Sequence, residues 1–362
     1  MKVFLHIGLH KTGSTALQNI FSANFINGDI IYNPPNIVSM VEYAIDNPRM
    51  RDEYILKAKY LLKILREKNN SKTIFISNEN LSQRFCFQDY DYCSQVIYEV
   101  FPNAEIIIFI RFQSDWILSC YKQSVQLDDP QSIMDFLNYS DGMFGNIDNR
   151  FNSNGLLSLN VHKADWTNLL DVYTKKFGRE NIHLYFYENL KNDFKSVVDE
   201  IGNLVGMKVV YNKKKRFGNR SYSALACKMT IYRYNIYRFL GLEKFLPIST
   251  KLSIDKILQS PPKLSEDEKN VSKPFLSWDD AKVSKSFIGL IPVFFLKVYQ
   301  RIRNLTWRKL WQVYLDRVIY VDWDLLEIAD LREKLNKLTR TKNKRLLKYC
   351  SKDELPRKYL YE

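Results

Sequence analysis

The segment Gly8-Leu-His-Lys-Thr-Gly-Ser-Thr15 sets the interpretation of the whole chain. It follows the β-forming run Lys2-Val-Phe-Leu-His-Ile7, and the next residues, 16–21, have apolar positions spaced as on one helix face. A strand, a loop of small residues and a helix in this order bring backbone N–H groups and a helix N-terminus to one point. The sequence therefore predicts an anion-binding loop near the N-terminus.

This loop differs from the nucleotide P-loop in the position of its lysine. Gly8 and Gly13 match the two glycines of the pattern G-x-x-x-x-G-K-[ST]. Ser14 stands where that pattern has Lys, and the lysine of this loop is Lys11. A P-loop kinase uses its lysine on the β- and γ-phosphates and its Ser or Thr on Mg²⁺. The altered order indicates a cradle for a different anion.

A later strand lacks the carboxylate that holds Mg²⁺ in an NTPase. The run Glu105-Ile-Ile-Ile-Phe-Ile110 is nearly all apolar, which is typical of a parallel strand covered on both faces. Arg111 follows it, where many NTPases have an Asp. Arginine binds no metal ion, but it binds a phosphate through two parallel hydrogen bonds. These residues predict an anion site without a metal.

Strand and helix patterns alternate over the first part of the chain. Further strand patterns lie at 72–77 and 181–187, and helical patterns lie at 51–68, 114–126 and 163–177. The alternation predicts an α/β protein with a P-loop-type three-layer fold and a central, mostly parallel sheet.

Beyond about residue 222 the sequence shows helical patterns without convincing strands. We therefore predict a helical C-terminal insertion as part of the fold. The predicted division is a core at 1–225, the insertion at 226–329 and a C-terminal helix at 330–362 that returns to the core.

The composition indicates a globular chain that favours anionic partners. Of its 362 residues 46% are hydrophobic, and the formal net charge is +14. A positive charge of this size favours nucleic acid, a membrane surface, an acidic glycan or a nucleotide. The sequence has no helix-turn-helix, zinc-finger or RNA-recognition signature, so we expect no nucleic-acid partner.

The cysteines and histidines follow no metal or disulfide pattern. The five cysteines include no C-x-x-C pair, and the four histidines no H-E-x-x-H pattern. An odd number of unpatterned cysteines is typical of a reducing compartment. The N-terminus also lacks the apolar stretch and cleavage site of a signal peptide. We predict a cytoplasmic protein without a metal.

The stretch 287–315 is apolar, aromatic and basic. Its strongest apolar run, Phe287 to Leu296, has about half the length of a membrane-spanning helix and is interrupted by Gly289 and Pro292. Two interpretations stay open: a core helix of the insertion, or a helix pair on a membrane surface near a lipid-linked acceptor. We favour the core helix.

The loop and the arginine together resemble the sulfotransferases that use 3′-phosphoadenosine 5′-phosphosulfate (PAPS), especially the bacterial and carbohydrate-modifying members. The segment His10-Lys-Thr-Gly-Ser-Thr15 resembles their 5′-phosphosulfate loop. Arg111 and Ser119 match the spacing of the family's 3′-phosphate pair, whereas Gln113 stands where many members have Pro. The resemblance implies that the phosphosulfate is bound by His10, Lys11, Thr12, Gly13, Ser14 and Thr15.

Three further stretches extend the resemblance to about 1–225 and 330–362. Residues 165–190 resemble the family's helix–strand unit, and 341–347 its terminal helix. The segment Arg216-Phe-Gly-Asn-Arg-Ser-Tyr-Ser223 resembles the loop that closes over the donor's adenosine and 3′-phosphate. By this resemblance, further donor-binding residues are Arg216, Asn219, Arg220 and Ser221.

The resemblance also implies catalytic roles. Lys11 would stabilise charge on the bridging oxygen of the donor. Glu79 follows the predicted strand 72–77, so we expect it at the carboxyl edge of the sheet, where ligands bind in open α/β folds. Glu79 is the first candidate for the base and His162 the second; the alternative is that Glu79 only holds Lys11 or caps the next turn.

The predicted function is transfer of a sulfuryl group from PAPS to a hydroxyl or amine of a carbohydrate or glycolipid. A P-loop kinase of a small molecule is the main alternative from another class. A non-catalytic protein that binds anions or nucleic acid is the other. The sequence leaves the acceptor and the oligomeric state open.

Overall fold

The computed structural model describes most of the chain. The described residues are 1–24, 30–69, 72–83, 87–127, 129–152, 155–211, 221–241, 307 and 310–361. The strands are β1 (Val3–His6), β2 (Ile30–Tyr32), β3 (Thr73–Ser77), β4 (Glu105–Ile110), β5 (Tyr139–Ser140), β6 (Met143–Phe144) and β7 (Ile182–Phe186). The α-helices are α1 (Ser14–Asn24), α2 (Pro35–Asp46), α3 (Arg51–Lys68), α4 (Tyr90–Val100), α5 (Gln113–Gln126), α6 (Ile133–Phe136), α7 (Trp166–Phe177), α8 (Tyr187–Asn192), α9 (Phe194–Val205), α10 (Ala224–Phe239), α11 (Asp316–Val318), α12 (Leu331–Lys344) and α13 (Lys358–Tyr361).

The central sheet consists of five parallel strands in the order β2-β3-β1-β4-β7. The middle strand, β1, pairs with β3 on one side and with β4 on the other. The strands that follow β1 first, β2 and β3, lie on one side of it, and the later strands β4 and β7 lie on the other. The strand order thus reverses at β1, and ligands bind at the carboxyl ends of the strands at such a point. The predicted α/β class with a central, mostly parallel sheet is confirmed.

Buried side chains alternate between the two faces of the sheet. In β4, Ile106, Ile108 and Ile110 belong to one hydrophobic cluster, and Ile107 and Phe109 belong to another. Successive residues of a strand point to opposite faces, so β4 is covered on both sides. The first cluster includes residues of α2, α4, α5 and α7, and the second includes residues of α1 and α9. These helices and the sheet form three layers.

The helix α12 packs against the core near the start of α5. The side-chain amides of Gln113 and Asn343 exchange two hydrogen bonds, of 2.5 and 3.0 Å. Both residues are buried, so each amide satisfies the other where water does not reach.

Most of the predicted insertion at 226–329 lies outside the described residues, as does most of 287–315. The predicted division into a core, an insertion and a returning helix therefore stays a prediction, as does the cytoplasmic location. In the described part of the chain, no helix combines the length and the apolarity needed to cross a bilayer.

Candidate active site

The loop between β1 and α1 lies at the carboxyl edge of the sheet. Backbone pairing with β4 continues past the strand, through Ile7 N to Ile107 O at 3.1 Å. The chain then turns at Lys11 and Gly13, which have φ of +67° and +89°. Left-handed residues next to right-handed ones turn successive N–H groups toward one concave side, and α1 adds its N-terminus there. The backbone of this loop is compatible with an anion site, and anion binding itself stays a prediction.

The two glycines of the loop are required by close packing. A Cβ on Gly13 would lie 2.8 Å from Leu190 Cδ2, and the φ of Gly13 is one that other residues rarely adopt. A Cβ on Gly8 would lie 2.6 Å from His6 Nε2. The loop backbone thus runs directly over β1 and α8, and neither glycine has room for a side chain.

Side chains from elsewhere in the chain hold the loop backbone. The indole N–H of Trp116 in α5 donates to the His10 carbonyl at 2.7 Å, and Arg111 donates to the Lys11 carbonyl at 3.1 Å. The Thr12 hydroxyl is occupied within the loop, because it donates to the Leu9 carbonyl at 2.6 Å. The backbone N–H of Thr12, rather than its hydroxyl, is then the group that could bind a ligand.

Ser14 Oγ and Arg111 Nε are buried polar atoms at the loop that have no hydrogen-bond partner among the described residues. Ser14 is 4% exposed and begins α1. The Arg111 guanidinium lies over the Tyr187 ring, 4.5 Å from its centre. An unpaired buried donor costs roughly 1–3 kcal/mol, and more on a charged group. Both atoms fit an anionic ligand at this loop.

Glu79 lies immediately after β3, at the same edge of the sheet. Its Oε2 accepts a hydrogen bond of 2.9 Å from Gln18 Nε2, and its Oε1 lies 3.8 Å from His10 Nδ1. The turn that follows is capped by Asn78, whose side chain accepts from Asn80 N at 3.0 Å. Since Asn78 caps the turn, the carboxylate of Glu79 does not serve as its cap. The side chain is 24% exposed.

The two histidines beside the loop are held in the neutral form. Burial lowers the pKa of His10, although the negative charge of Glu79 acts in the opposite direction. Burial likewise lowers the pKa of His6 to about 4, and its Nδ1 lies 2.6 Å from Ser77 Oγ. At neutral pH the His10 ring is therefore uncharged in its contact with Glu79.

His162 is held by the hairpin of β5 and β6. Its Nε2 lies 3.2 Å from the Phe144 carbonyl, which can only accept, so Nε2 is the donor of this hydrogen bond. Its backbone N–H donates to Asn160 Oδ1 at 3.0 Å, and its carbonyl accepts from Lys342 at 3.0 Å. In the described contacts its ring is directed to the hairpin backbone and not to Glu79.

The other predicted site residues lie on α1, on α5 and in the segment before α10. Thr15 is exposed at the second position of α1. Ser119 is 7% exposed on α5, and Ser221 is half-buried ahead of α10. The residues that lie outside the described part are Arg216, Asn219 and Arg220. Within the described part, no group of three or more His, Cys, Asp or Glu could hold a metal ion.

A buried carboxylate supports the segment that leads to His162. Asp129 is 1% exposed, and it accepts from Leu157 N at 2.7 Å. Burial raises the pKa of Asp129 from 3.8 to about 6. The folded protein thus binds more protons than the unfolded chain between these values, so this group lowers the stability as the pH rises from about 4 to about 6.

Asp129→Asn should raise the stability at pH 7, because it removes the buried charge and keeps an acceptor for Leu157 N. The expected gain is on the order of 3 kcal/mol at pH 7, and it should vanish near pH 4. Thermal unfolding of both proteins at several pH values measures it. Asp353→Asn, at an exposed position, serves as the control. A gain that is the same at every pH would contradict the assignment.

The sequence reasoning missed three residues that organise the site. Gln18 holds Glu79, Trp116 holds the loop backbone, and Tyr187 holds Arg111. Gln18 lies one turn into α1 and Trp116 one turn into α5, but no local pattern marks either as part of a site.

The sequence matches the family model of the sulfotransferase domain over residues 2–277. Among solved structures, the chain is similar to a sulfotransferase from Alicyclobacillus acidocaldarius, with 17% sequence identity and a TM-score of 0.40. That similarity covers 67% of this chain and 96% of the other. No curated protein sequence matches significantly. Because the family model spans well over half of its length, the chain belongs to the sulfotransferase domain family, whose members transfer sulfuryl groups.

Proposed function

We propose that the protein transfers the sulfuryl group of PAPS to a hydroxyl or amino group of a carbohydrate or glycolipid. The observation that supports an anionic donor is the pair of buried atoms without a hydrogen-bond partner in the described residues, Ser14 Oγ and Arg111 Nε. Both lie at the loop between β1 and α1. An anionic donor with two phosphate-type groups would satisfy both, through charge-assisted hydrogen bonds.

The 5′-phosphosulfate is assigned to the loop, where the N-terminus of α1 and the charge of Lys11 favour an anion. The residues assigned to it are His10, Lys11, Thr12, Gly13, Ser14 and Thr15. The 3′-phosphate is assigned to Arg111, whose planar guanidinium suits bidentate binding of a phosphate. The residues assigned with it are Ser119, Arg216, Asn219, Arg220 and Ser221.

The transfer step joins the acceptor oxygen to the sulfur while the bond from sulfur to the 5′-phosphate oxygen breaks. The electron pair of that bond remains on the leaving adenosine 3′,5′-bisphosphate. The acceptor proton passes to Glu79, which later releases it to water. Lys11 stabilises the charge that develops on the bridging oxygen, and such fixed electrostatic groups are usually the largest contribution to catalysis.

Glu79 is preferred over His162 as the base on geometric grounds. A base must lie within hydrogen-bond reach of the proton that it removes. Glu79 Oε2 is fixed by Gln18, and Oε1 lies beside His10 in the donor loop. His162 instead uses its ring on the Phe144 carbonyl. His162 remains the second candidate.

A transfer assay tests the proposal. The protein is incubated with ³⁵S-labelled PAPS and a panel of neutral sugars, acidic glycans, glycolipids and aminosugars. We expect label in at least one acceptor and none with heat-inactivated protein. ATP with Mg²⁺ tests the kinase alternative in the same panel. If phosphate is transferred from ATP and no sulfate is transferred from PAPS, the protein is a kinase and the proposed reaction is wrong.

Arg111→Ala should weaken the binding of adenosine 3′,5′-bisphosphate by about 2–5 kcal/mol, because a charge-assisted bidentate contact is lost. Arg111→Lys keeps the positive charge but loses the planar guanidinium that binds a phosphate through two hydrogen bonds, so it should retain only part of the affinity. Isothermal titration calorimetry measures both variants.

The control is Arg66→Ala, which removes an exposed arginine from α3. The affinity of Arg66→Ala for adenosine 3′,5′-bisphosphate should equal that of the wild type. If Arg111→Ala binds the bisphosphate as tightly as this control, Arg111 does not belong to the donor site.

A further inference from the structure

An ion pair between a buried lysine and a partly exposed aspartate joins α5 to the start of α10. Lys122 in α5 is only 6% exposed, and its Nζ lies 2.6 Å from Asp322 Oδ1. The same carboxylate oxygen accepts from the backbone N–H of Ala224 at 2.8 Å. One pair thus connects three separate parts of the chain: α5, the first residue of α10 and the segment before α12.

A second carboxylate binds the residue just before α10. Asp316 is 2% exposed; its Oδ2 accepts from Ser223 N at 3.0 Å and its Oδ1 accepts from Ser223 Oγ at 2.7 Å. The Ser223 hydroxyl in turn caps α10 by accepting from Ala226 N at 3.0 Å. Carboxylates at a helix N-terminus satisfy its free N–H groups and are favoured by the helix dipole. We call Lys122, Asp316 and Asp322 the charge cluster.

Stability alone does not account for the lysine of this cluster. Burying the ammonium group of Lys122 carries a desolvation penalty. Its partner Asp322 has a side chain that is 35% exposed, and solvent screening leaves such an ion pair little net stabilisation. The cap of α10 needs the carboxylate of Asp322 but not the ammonium of Lys122. What the ion pair adds is a fixed position of α10 relative to α5.

Both segments that the pair joins carry residues of the proposed donor site. Ser119 lies one helical turn before Lys122 on α5, where residues three apart share a face. Ser221 lies two residues before Ser223, which Asp316 holds. Ser119 and Ser221 are both assigned to the 3′-phosphate. The charge cluster therefore sets the separation of two groups that would bind one phosphate.

We propose that Lys122 and Asp322 are positioning residues for the 3′-phosphate of the donor. They fix the positions of Ser119 and Ser221 relative to each other and do not themselves contact the donor. This inference rests on the proposed function. It predicts that loss of the pair weakens recognition of the 3′-phosphate specifically, while the rest of the donor site and the catalytic groups are unaffected.

The test is the double variant Lys122→Met/Asp322→Asn. Asparagine keeps an acceptor for Ala224 N, and methionine replaces the buried stem without a charge. The melting temperature should stay near that of the wild type. The affinity for adenosine 3′,5′-bisphosphate should fall about tenfold, which is ~1.4 kcal/mol. The affinity for adenosine 5′-monophosphate, which lacks the 3′-phosphate, should not change. In turnover, KM for PAPS should rise while kcat is retained.

The matched control removes the exposed pair of α3 with Lys57→Met/Glu53→Gln and should change neither affinity. Unchanged affinity of the Lys122→Met/Asp322→Asn variant for the bisphosphate would overturn the inference. An equal loss for both nucleotides would overturn it too, since that result indicates a general structural effect. If the wild type binds no bisphosphate, the proposed function itself fails, and this is seen before any variant is made.

Discussion

Glu79→Gln should reduce turnover with a hydroxyl acceptor about 10²–10⁴-fold, which is the usual contribution of general base catalysis. Glutamine has nearly the same shape and can still accept from Gln18, but it cannot take up the acceptor's proton as a carboxylate does. The affinity for PAPS should remain that of the wild type, because Glu79 is assigned to the acceptor and not to the donor. Turnover and donor affinity are measured on one preparation.

Glu42→Gln provides the matched control for this experiment. Glu42 is another carboxylate near the end of β3, where its Oε1 accepts from the side chains of Asn78 and Asn80 at 2.9 and 2.8 Å. It should retain turnover, because its carboxylate is used in these contacts. An amine acceptor that is already deprotonated should be less sensitive to Glu79→Gln. Normal turnover of Glu79→Gln with a hydroxyl acceptor would make Glu79 structural and His162 the next candidate to replace.

Lys11→Ala should lower both donor affinity and turnover, with a loss of about 10²–10³-fold in kcat. The reason is that Lys11 is assigned to the bridging oxygen, where charge develops as the bond to sulfur breaks. Its backbone adopts a left-handed φ of +67°, so a substitution also has to preserve the shape of the loop. Stopped-time assays with labelled PAPS give kcat, and calorimetry with the bisphosphate gives the affinity.

Two further variants separate the charge of Lys11 from its backbone conformation. Lys11→Gly relieves the left-handed backbone and removes the charge, so it should be as inactive as Lys11→Ala. Lys11→Arg keeps a positive charge and should retain part of the activity. If Lys11→Gly were as active as the wild type, the ammonium group would have no part in the transfer.

The parts of the fold with strong local patterns were predicted close to their bounds. The apolar run at 105–110 is β4, and the helical pattern at 114–126 is α5, which begins at Gln113. In both, hydrophobic periodicity alone carries the information. The edge strand β2 was not predicted, because its three residues, Ile30–Tyr32, are too few to show a period.

The same distinction applies to the candidate site: features formed by neighbouring residues could be predicted from the sequence, and contacts between distant residues could not. The loop was predictable because its glycines and Lys11 lie within eight residues of sequence. The contact of Gln18 with Glu79 spans 61 residues and that of Trp116 with His10 spans 106, so no spacing rule points to them. Tertiary packing decides such contacts, and it also lowers the pKa of His10 by removing most of its ring from water.

The most direct test of the central claim compares two nucleotides by thermal unfolding of the wild-type protein. Adenosine 3′,5′-bisphosphate without metal should raise the melting temperature, and at about 100 times its dissociation constant it should add roughly 2.7 kcal/mol to the free energy of unfolding. ATP with Mg²⁺ at the same concentration should stabilise the protein much less, because Arg111 stands where an NTPase has its Mg²⁺ ligand. Equal stabilisation by both nucleotides, or stabilisation by ATP with Mg²⁺ alone, would contradict PAPS as the donor.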